Sequence, residues 1–209
     1  MKVNTQRVIV PINTTDSLLD SFFNKDGGFT QSGAIKRSTL LTCKKDFIFL
    51  RGNNLSDPEL RLDEKQMQSL QASMPAFAAI LVYCSSIDLL ARVMKKKIPK
   101  NNSSKRFFLW SARKWFNLSE SKSQAAWDLR CSMSHQYRVE ASQKAVPHGF
   151  NGSMTYDRKD KKWVFNLNGM FGDIRTAIPK AYAYIKKQKL SSRHKYAVFI
   201  ANNGFYYTH

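Results

Sequence analysis

Acidic side chains are scarce in this chain. Asp and Glu number 15 against 34 Lys and Arg, which leaves a formal charge of +19 at pH 7. Such an excess draws polyanions and raises their encounter rates, with a strong dependence on salt. A nucleic acid is the partner this favours, with an acidic protein or a membrane surface as alternatives. Cysteine is equally sparse: Cys43, Cys84 and Cys131 are widely separated and odd in number, which argues against a disulfide framework or a four-cysteine metal site and for a reducing compartment. Histidines number 4, and no His, Cys and carboxylate spacing suits zinc, so no metal is expected. His148, His194 and His209 fall in loops or near the end of the sequence. A phosphate-binding glycine loop and a dinucleotide fingerprint are both lacking, which argues against an ATPase or a nicotinamide enzyme, and no cofactor is expected.

Long apolar runs are lacking too. The strongest, Ala76 to Ala91, is interrupted by Ser85, Ser86 and Asp88 and falls short of a bilayer span, so it reads as a buried bundle helix with no stable membrane span. The start of the chain lacks the basic, apolar and small-residue combination of a secretory leader, and a cytoplasmic location is expected. What is present suffices for a core: 209 residues, 43% of them in the hydrophobic set, can fold without disulfides or a structural metal.

The patterning predicts a mainly α-helical protein with a C-terminal β-hairpin or a small α+β elaboration. Residues 1–60 read as a mixed N-terminal extension: a strand over 6–10, a helix from Thr15 to Phe23, a strand or buried connection from Phe47 to Leu50, then irregular chain at Asn53, Asn54 and Pro58. Residues 61–146 read as the helical core, with helices over 64–97, from Lys105 to Phe116 and from Ser121 to Tyr137. Pro75 divides or kinks the first of these. Ser121 is the expected cap of the third, with Gln124 reaching back. Residues 147–209 read as the elaboration, packed into the same domain or appended to it. Met154-Thr155-Tyr156 and Lys162 to Leu167 form a hairpin around a polar turn. Gly169 and Gly172 flank the passage to a helix from about Asp173 to Lys187, kinked or broken near Pro179. Tyr196 to Ile200 reads as a further strand, with a turn at Asn203-Gly204.

Cations cluster around the connection between the first two core helices. Lys95, Lys96, Lys97, Lys100, Lys105 and Arg106, followed by Arg113 and Lys114, form the candidate nucleic-acid surface. In Phe107 to Phe116, the helical recurrence of Phe108, Ala112, Trp115 and Phe116 reads as core, with Arg113 and Lys114 leaving through the polar face. Aromatics interleaved with cations would also suit unpaired bases, but the periodicity favours packing. Trp110 fits neither set and is a candidate for a dimer seam.

The segment Trp127-Asp128-Leu129-Arg130-Cys131-Ser132-Met133-Ser134-His135-Gln136-Tyr137 carries the chemistry. A guanidinium holds a phosphate through a planar fork of donors, and an imidazole exchanges protons near neutral pH. Five residues turn a helix through about 500°, so Arg130 and His135 diverge by roughly 140° and do not share one narrow face. Pairing the helix with its copy across a two-fold axis would gather two arginines and two histidines around one cleft. Asp88, a carboxylate in the most apolar helix, needs hydrogen bonds or a cation, which Arg130 or His135 could supply. Ser132 and Ser134 are candidates for phosphate contact or for local packing.

This segment resembles the HEPN superfamily, helical-bundle proteins whose nucleases carry an arginine, four to six intervening residues and a histidine. Its nearest likeness is to small bacterial HEPN-like proteins with an arginine on a helix followed by a histidine and an aromatic. The resemblance implies that residues 61–146 form a HEPN-like core. It implies a metal-independent endoribonuclease working at a homodimer interface and leaving a cyclic phosphate, with Arg130 on the phosphate and His135 moving protons. A toxin or host-defence role belongs to the same family context. Cys131 stands where many of these nucleases have a polar residue, and some members bind RNA without cutting it. The expectation is therefore an endoribonuclease, with a noncatalytic basic RNA-binding or interaction module as the alternative.

Overall fold

The computed structural model describes residues 9–24, 35–51, 76–100, 103–136, 143–146 and 150–208. Its helices are α1 (Thr15–Phe23), α2 (Thr39–Arg51), α3 (Ala76–Lys95), α4 (Ser104–Lys114), α5 (Glu120–Gln136), α6 (Leu167–Lys186) and α7 (Leu190–Asn203); its strands are β1 (Ile35–Ser38), β2 (Gln143–Val146), β3 (Met154–Asp157), β4 (Lys162–Asn166) and β5 (Phe205–Thr208). The architecture is a mainly α-helical bundle with a small hairpin element. No helix among the described residues is long and apolar enough to cross a membrane.

The apolar run that begins near Ala76 becomes the centre of the bundle. α3 is contacted by α2, α4, α5, α6 and α7, and Ile80, Tyr83, Ile87 and Leu90 are fully buried along it, at the three- and four-residue spacing of one helical face. Its buried polar groups are answered from within. The Tyr83 hydroxyl donates to Asp173 Oδ2 on α6 at 2.9 Å, and the Ser86 hydroxyl donates to its own helix at the Val82 carbonyl, 2.9 Å away. One hydrophobic cluster runs through Leu19, Ile80, Leu129, Phe165 and Ile200, so helices from both ends of the chain share it.

The helix from Thr15 to Phe23 is where the sequence places it, burying Leu19, Phe22 and Phe23 on one side. The hairpin also forms as expected. β3 pairs antiparallel with β4, with Tyr156 opposite Trp163, and Asp157 Oδ1 accepts the backbone N–H groups of Lys159 and Asp160 in the turn, the hydrogen-bonding habit that makes Asp a turn residue. Lys161 completes the turn at φ +50°. Three strands are additional to the expected set: β2 lies parallel to β4, and β1 pairs antiparallel with β5, tying residues 35–38 to 205–208.

Several boundaries differ. Phe47 to Leu50 belongs to α2, and Tyr196 to Ile200 to α7. Short apolar runs carry no decisive period, and the surrounding contacts choose helix. Ile9 and Val10 are not in a strand; residues 6–8, 64–75 and 137, with the remainder of the expected first strand, first core helix and third core helix, lie outside the described residues. α5 begins at Glu120, and the hydroxyl of Ser119, not Ser121, accepts from Lys122 N at 3.3 Å. Gln124 reaches forward to Asp128 Oδ1 at 2.6 Å instead of back.

The largest difference is α6, which starts at Leu167 rather than near 173 and runs unbroken past Pro179. Pro179 is exposed, so its missing amide falls on the outer side of the helix. Asn166 makes the early start work. Its side-chain oxygen accepts from Asn168 N at 3.1 Å, while its amide donates to the carbonyls of Phe150 at 2.6 Å and Gly152 at 3.0 Å. The cap therefore also pulls the 150–152 chain against the first turn of α6. Gly169 is the consequence. A Cβ there would overlap the Gly152 carbonyl and lie 2.6 Å from Ser153 N.

Gly172, on the same helix, has nothing within 4 Å of its Cβ position. Gly169→Ala is expected to destabilise the fold by about 2 kcal/mol or more, because backbone must move, whereas Gly172→Ala should stabilise it by about 0.5–1 kcal/mol through helix propensity. Urea unfolding of the two variants checks this; equal effects would contradict the close approach.

Candidate functional site

Arg130 and Asp88 meet. α5 packs against α3, and Arg130 Nε lies 3.1 Å from Asp88 Oδ2, with side chains 25% and 17% exposed. The guanidinium carbon also sits 4.9 Å from the centre of the Trp127 ring, three residues earlier on the same helix and therefore on the same side. Trp127 in turn packs edge-on to Phe108 of α4 at 5.4 Å. A carboxylate at one edge and an indole at one face hold the guanidinium in a single orientation, as planar stacking and forked donation permit for arginine but not for lysine.

The charges are balanced against burial. Desolvation pushes the Asp88 carboxyl above its ordinary range, while the Arg130 charge, its hydrogen bond and the charge of Arg92 pull it down. Desolvation on its own would disfavour the Arg130 cation, but Asp88, with Cys131, outweighs it and leaves the guanidinium above its usual value. Cys84, beneath this pair on α3, is buried and points its sulfur 3.9 Å from the Ala126 carbonyl. Burial raises its pKa, assisted by Asp88, so it is a packed thiol and no ready nucleophile.

The other candidates separate. Ser132 is 3% exposed and its hydroxyl donates to the Leu129 carbonyl at 3.0 Å, which places it in packing. The backbones of Ser134 and His135 belong to the last turns of α5; their side chains lie outside the described residues. α5 is helical through both Arg130 and His135, so the roughly 140° between them persists within one copy of the chain. Lys95, Lys96, Lys97, Lys100, Lys105, Arg106, Arg113 and Lys114 are all exposed. Phe108, Ala112, Trp115 and Phe116 are buried, in keeping with the core reading of α4. His194 is engaged elsewhere, its Nδ1 2.9 Å from the Thr15 hydroxyl. Among the described residues no group of three or more His, Cys, Asp or Glu is placed to hold a metal ion.

Two participants were not singled out from the sequence. Arg92, one turn after Asp88, contributes charge to it and lines an open cleft of about 380 Å³ with Phe22, Leu89, Val93 and Phe199. Trp127 serves as the seat of Arg130. The four-residue spacing Asp88 to Arg92 and the three-residue spacing Trp127 to Arg130 are the signals that mark such helical neighbours. No family model, curated protein or solved structure matches the chain.

Removing Arg130 would leave Asp88 half-buried with Arg92 as its remaining cationic influence. Arg130→Met is expected to cost about 1–3 kcal/mol near neutral pH, less than for a fully enclosed pair because both side chains retain solvent contact. The deficit should shrink on acidification. Without Arg130 the folded-state pKa of Asp88 rises further above its unfolded value, and stability from such a group is present below the unfolded pKa and lost as pH rises through the folded one. Denaturant unfolding of wild type and variant at about pH 4.5 and 7 tests the sign; a deficit that grows towards acid would refute the pairing.

Proposed function

We propose that this chain is a metal-independent endoribonuclease of the HEPN type, cutting RNA through Arg130 and His135 at a cleft shared by two copies. The observation that carries the reading is the fixed, partly exposed guanidinium of Arg130, seated on Trp127 and held at Nε by Asp88, five residues before a histidine on one helix of a protein of charge +19. In the proposed reaction the 2′-oxygen attacks the adjacent phosphorus and the P–O5′ bond breaks. The fragments carry a cyclic phosphate and a 5′-hydroxyl. Arg130 offsets charge building on the phosphate oxygens, and His135 takes the 2′-hydroxyl proton or protonates the leaving oxygen. A two-fold axis supplies what one helix cannot, bringing the histidine of one copy towards the arginine of the other.

A second reading draws on the Asp88 contact itself. A carboxylate 3.1 Å from Nε offsets the positive charge that a phosphate would meet, which suits a structural arginine in a noncatalytic RNA-binding module. The two readings part in one experiment. Wild type, His135→Ala and Arg130→Ala are incubated with mixed-sequence RNA in chelator, and the ends are analysed. Cleavage by wild type to cyclic phosphates, reduced about 100-fold or more in each variant, is the expected outcome. Equal background cutting by all three would sink the mechanism. Salt-sensitive RNA binding without cutting would establish the second reading. Mixing the two inactive variants should restore part of the activity if the cleft is composite, since a mixed pair retains one intact arginine and one intact histidine.

A further inference from the structure

Two stretches of the sequence contain no acidic residue: 89–119, which carries nine Lys and Arg, and 174–209, which carries seven. The fold joins them. Trp115 at the end of α4 meets Tyr184 of α6 with ring centres 5.5 Å apart, and Trp110 meets Trp115 at 6.2 Å. Lys95, at the end of α3, places its ammonium 4.0 Å over Trp110, and Lys96 places its own 3.9 Å over Tyr196 of α7. The result is a ridge assembled from four helices, with Trp115 and Tyr196 buried beneath its cations and Tyr184 the exposed ring. Lys95, Lys96 and Lys114 are exposed on it, and Tyr184 is 43% exposed. Within the same stretch of chain, Lys186 and Arg193 turn away to Asp16 of α1 at 3.4 and 3.1 Å, so the ridge lysines are a separate set.

We propose that this ridge is a landing site for single-stranded RNA, with one unpaired base stacking on Tyr184 and Lys95, Lys96 and Lys114 holding the neighbouring phosphates. The inference rests on the RNA reading above and adds the strandedness of the substrate. Cations alone would serve a duplex, a single strand or an acidic peptide. A solvent-facing tyrosine among them adds a stacking face for an unpaired base, which a duplex keeps inside its stack. Contact with the Trp110 and Tyr196 rings restrains Lys95 and Lys96, so less side-chain freedom is lost when phosphate binds. On α4, Phe108 is turned about 200° from Trp110 and faces Trp127. The ridge therefore lies across α4 from Arg130, and changes to it act on binding apart from chemistry.

The test uses the chain carrying His135→Ala, so that RNA survives, and fluorescence anisotropy with a labelled unstructured 12-nucleotide RNA and the duplex of the same sequence. The single strand should bind more tightly than the duplex. Tyr184→Ala should weaken the single strand about fivefold or more, the effect of one lost stacked base, without changing duplex binding, and Tyr184→Phe should bind like the parent. Changing Lys95, Lys96 and Lys114 together to Gln should lower the salt dependence for the single strand by about 2 in log–log slope, three phosphates' worth. Tyr184→Ala that folds normally by circular dichroism and binds like the parent overturns the ridge while leaving RNA binding intact. So does a duplex bound as tightly as the single strand, or polyglutamate of equal charge displacing RNA equally well. Failure of the parent to bind RNA in either form overturns the RNA reading and the ridge together.

Discussion

Asp88 lies on the helix that five others contact, and a carboxylate in that position needs a cation close by. Arg130 supplies it from α5 at 3.1 Å, in the same rotation of α5 about its axis that buries the apolar side of that helix. With Arg130 turned to α3, Leu129 and Met133 enter the core, Ser132 closes onto its own helix, and Trp127 lies under the guanidinium. The helical continuation then fixes where His135 leaves the backbone. The candidate chemistry thus depends on a pair whose first duty is to make a buried charge tolerable.

The same economy governs the other acids. Asp16 holds Arg193 and Lys186, Asp20 accepts from Tyr182, Asp173 from Tyr83, and Asp157 organises the hairpin turn. These carboxylates, in a chain with 34 cations, are committed to internal contacts, while Lys95, Lys96, Lys97 and Lys100 stand exposed. Arg130, like Arg193, is a cation kept close to its counter-charge. The exposed lysines attract; the paired arginine, on the proposed reading, positions.

Local signals were legible in proportion to how local their causes are. The α1 helix follows from apolar residues at helical spacing, and the hairpin from alternation around an Asp-containing turn. Asn166 was read as part of a strand, and its capping bond and its two bonds to the 150–152 chain move the helix start six residues earlier than Asp173. Gly169 reads as a breaker in sequence, yet it is helical because another backbone passes where its side chain would be. Pro179 likewise ends no helix, because its lost hydrogen bond falls on an exposed side.

Composition and periodicity determined that this chain would be basic, mainly helical, provided with a hairpin over 154–166 and built around the run beginning near Ala76; the local elements depend on residues acting through neighbours a few positions away. The residues Arg130, His135 and Asp88 could be nominated from their chemistry. Only the tertiary structure decided that Arg130 meets Asp88, 42 positions away, and that two acid-free stretches adjoin through Trp115 and Tyr184. Those contacts arise from the packing of helices distant in sequence, where burial and charge choose the partner and no periodic pattern records the choice.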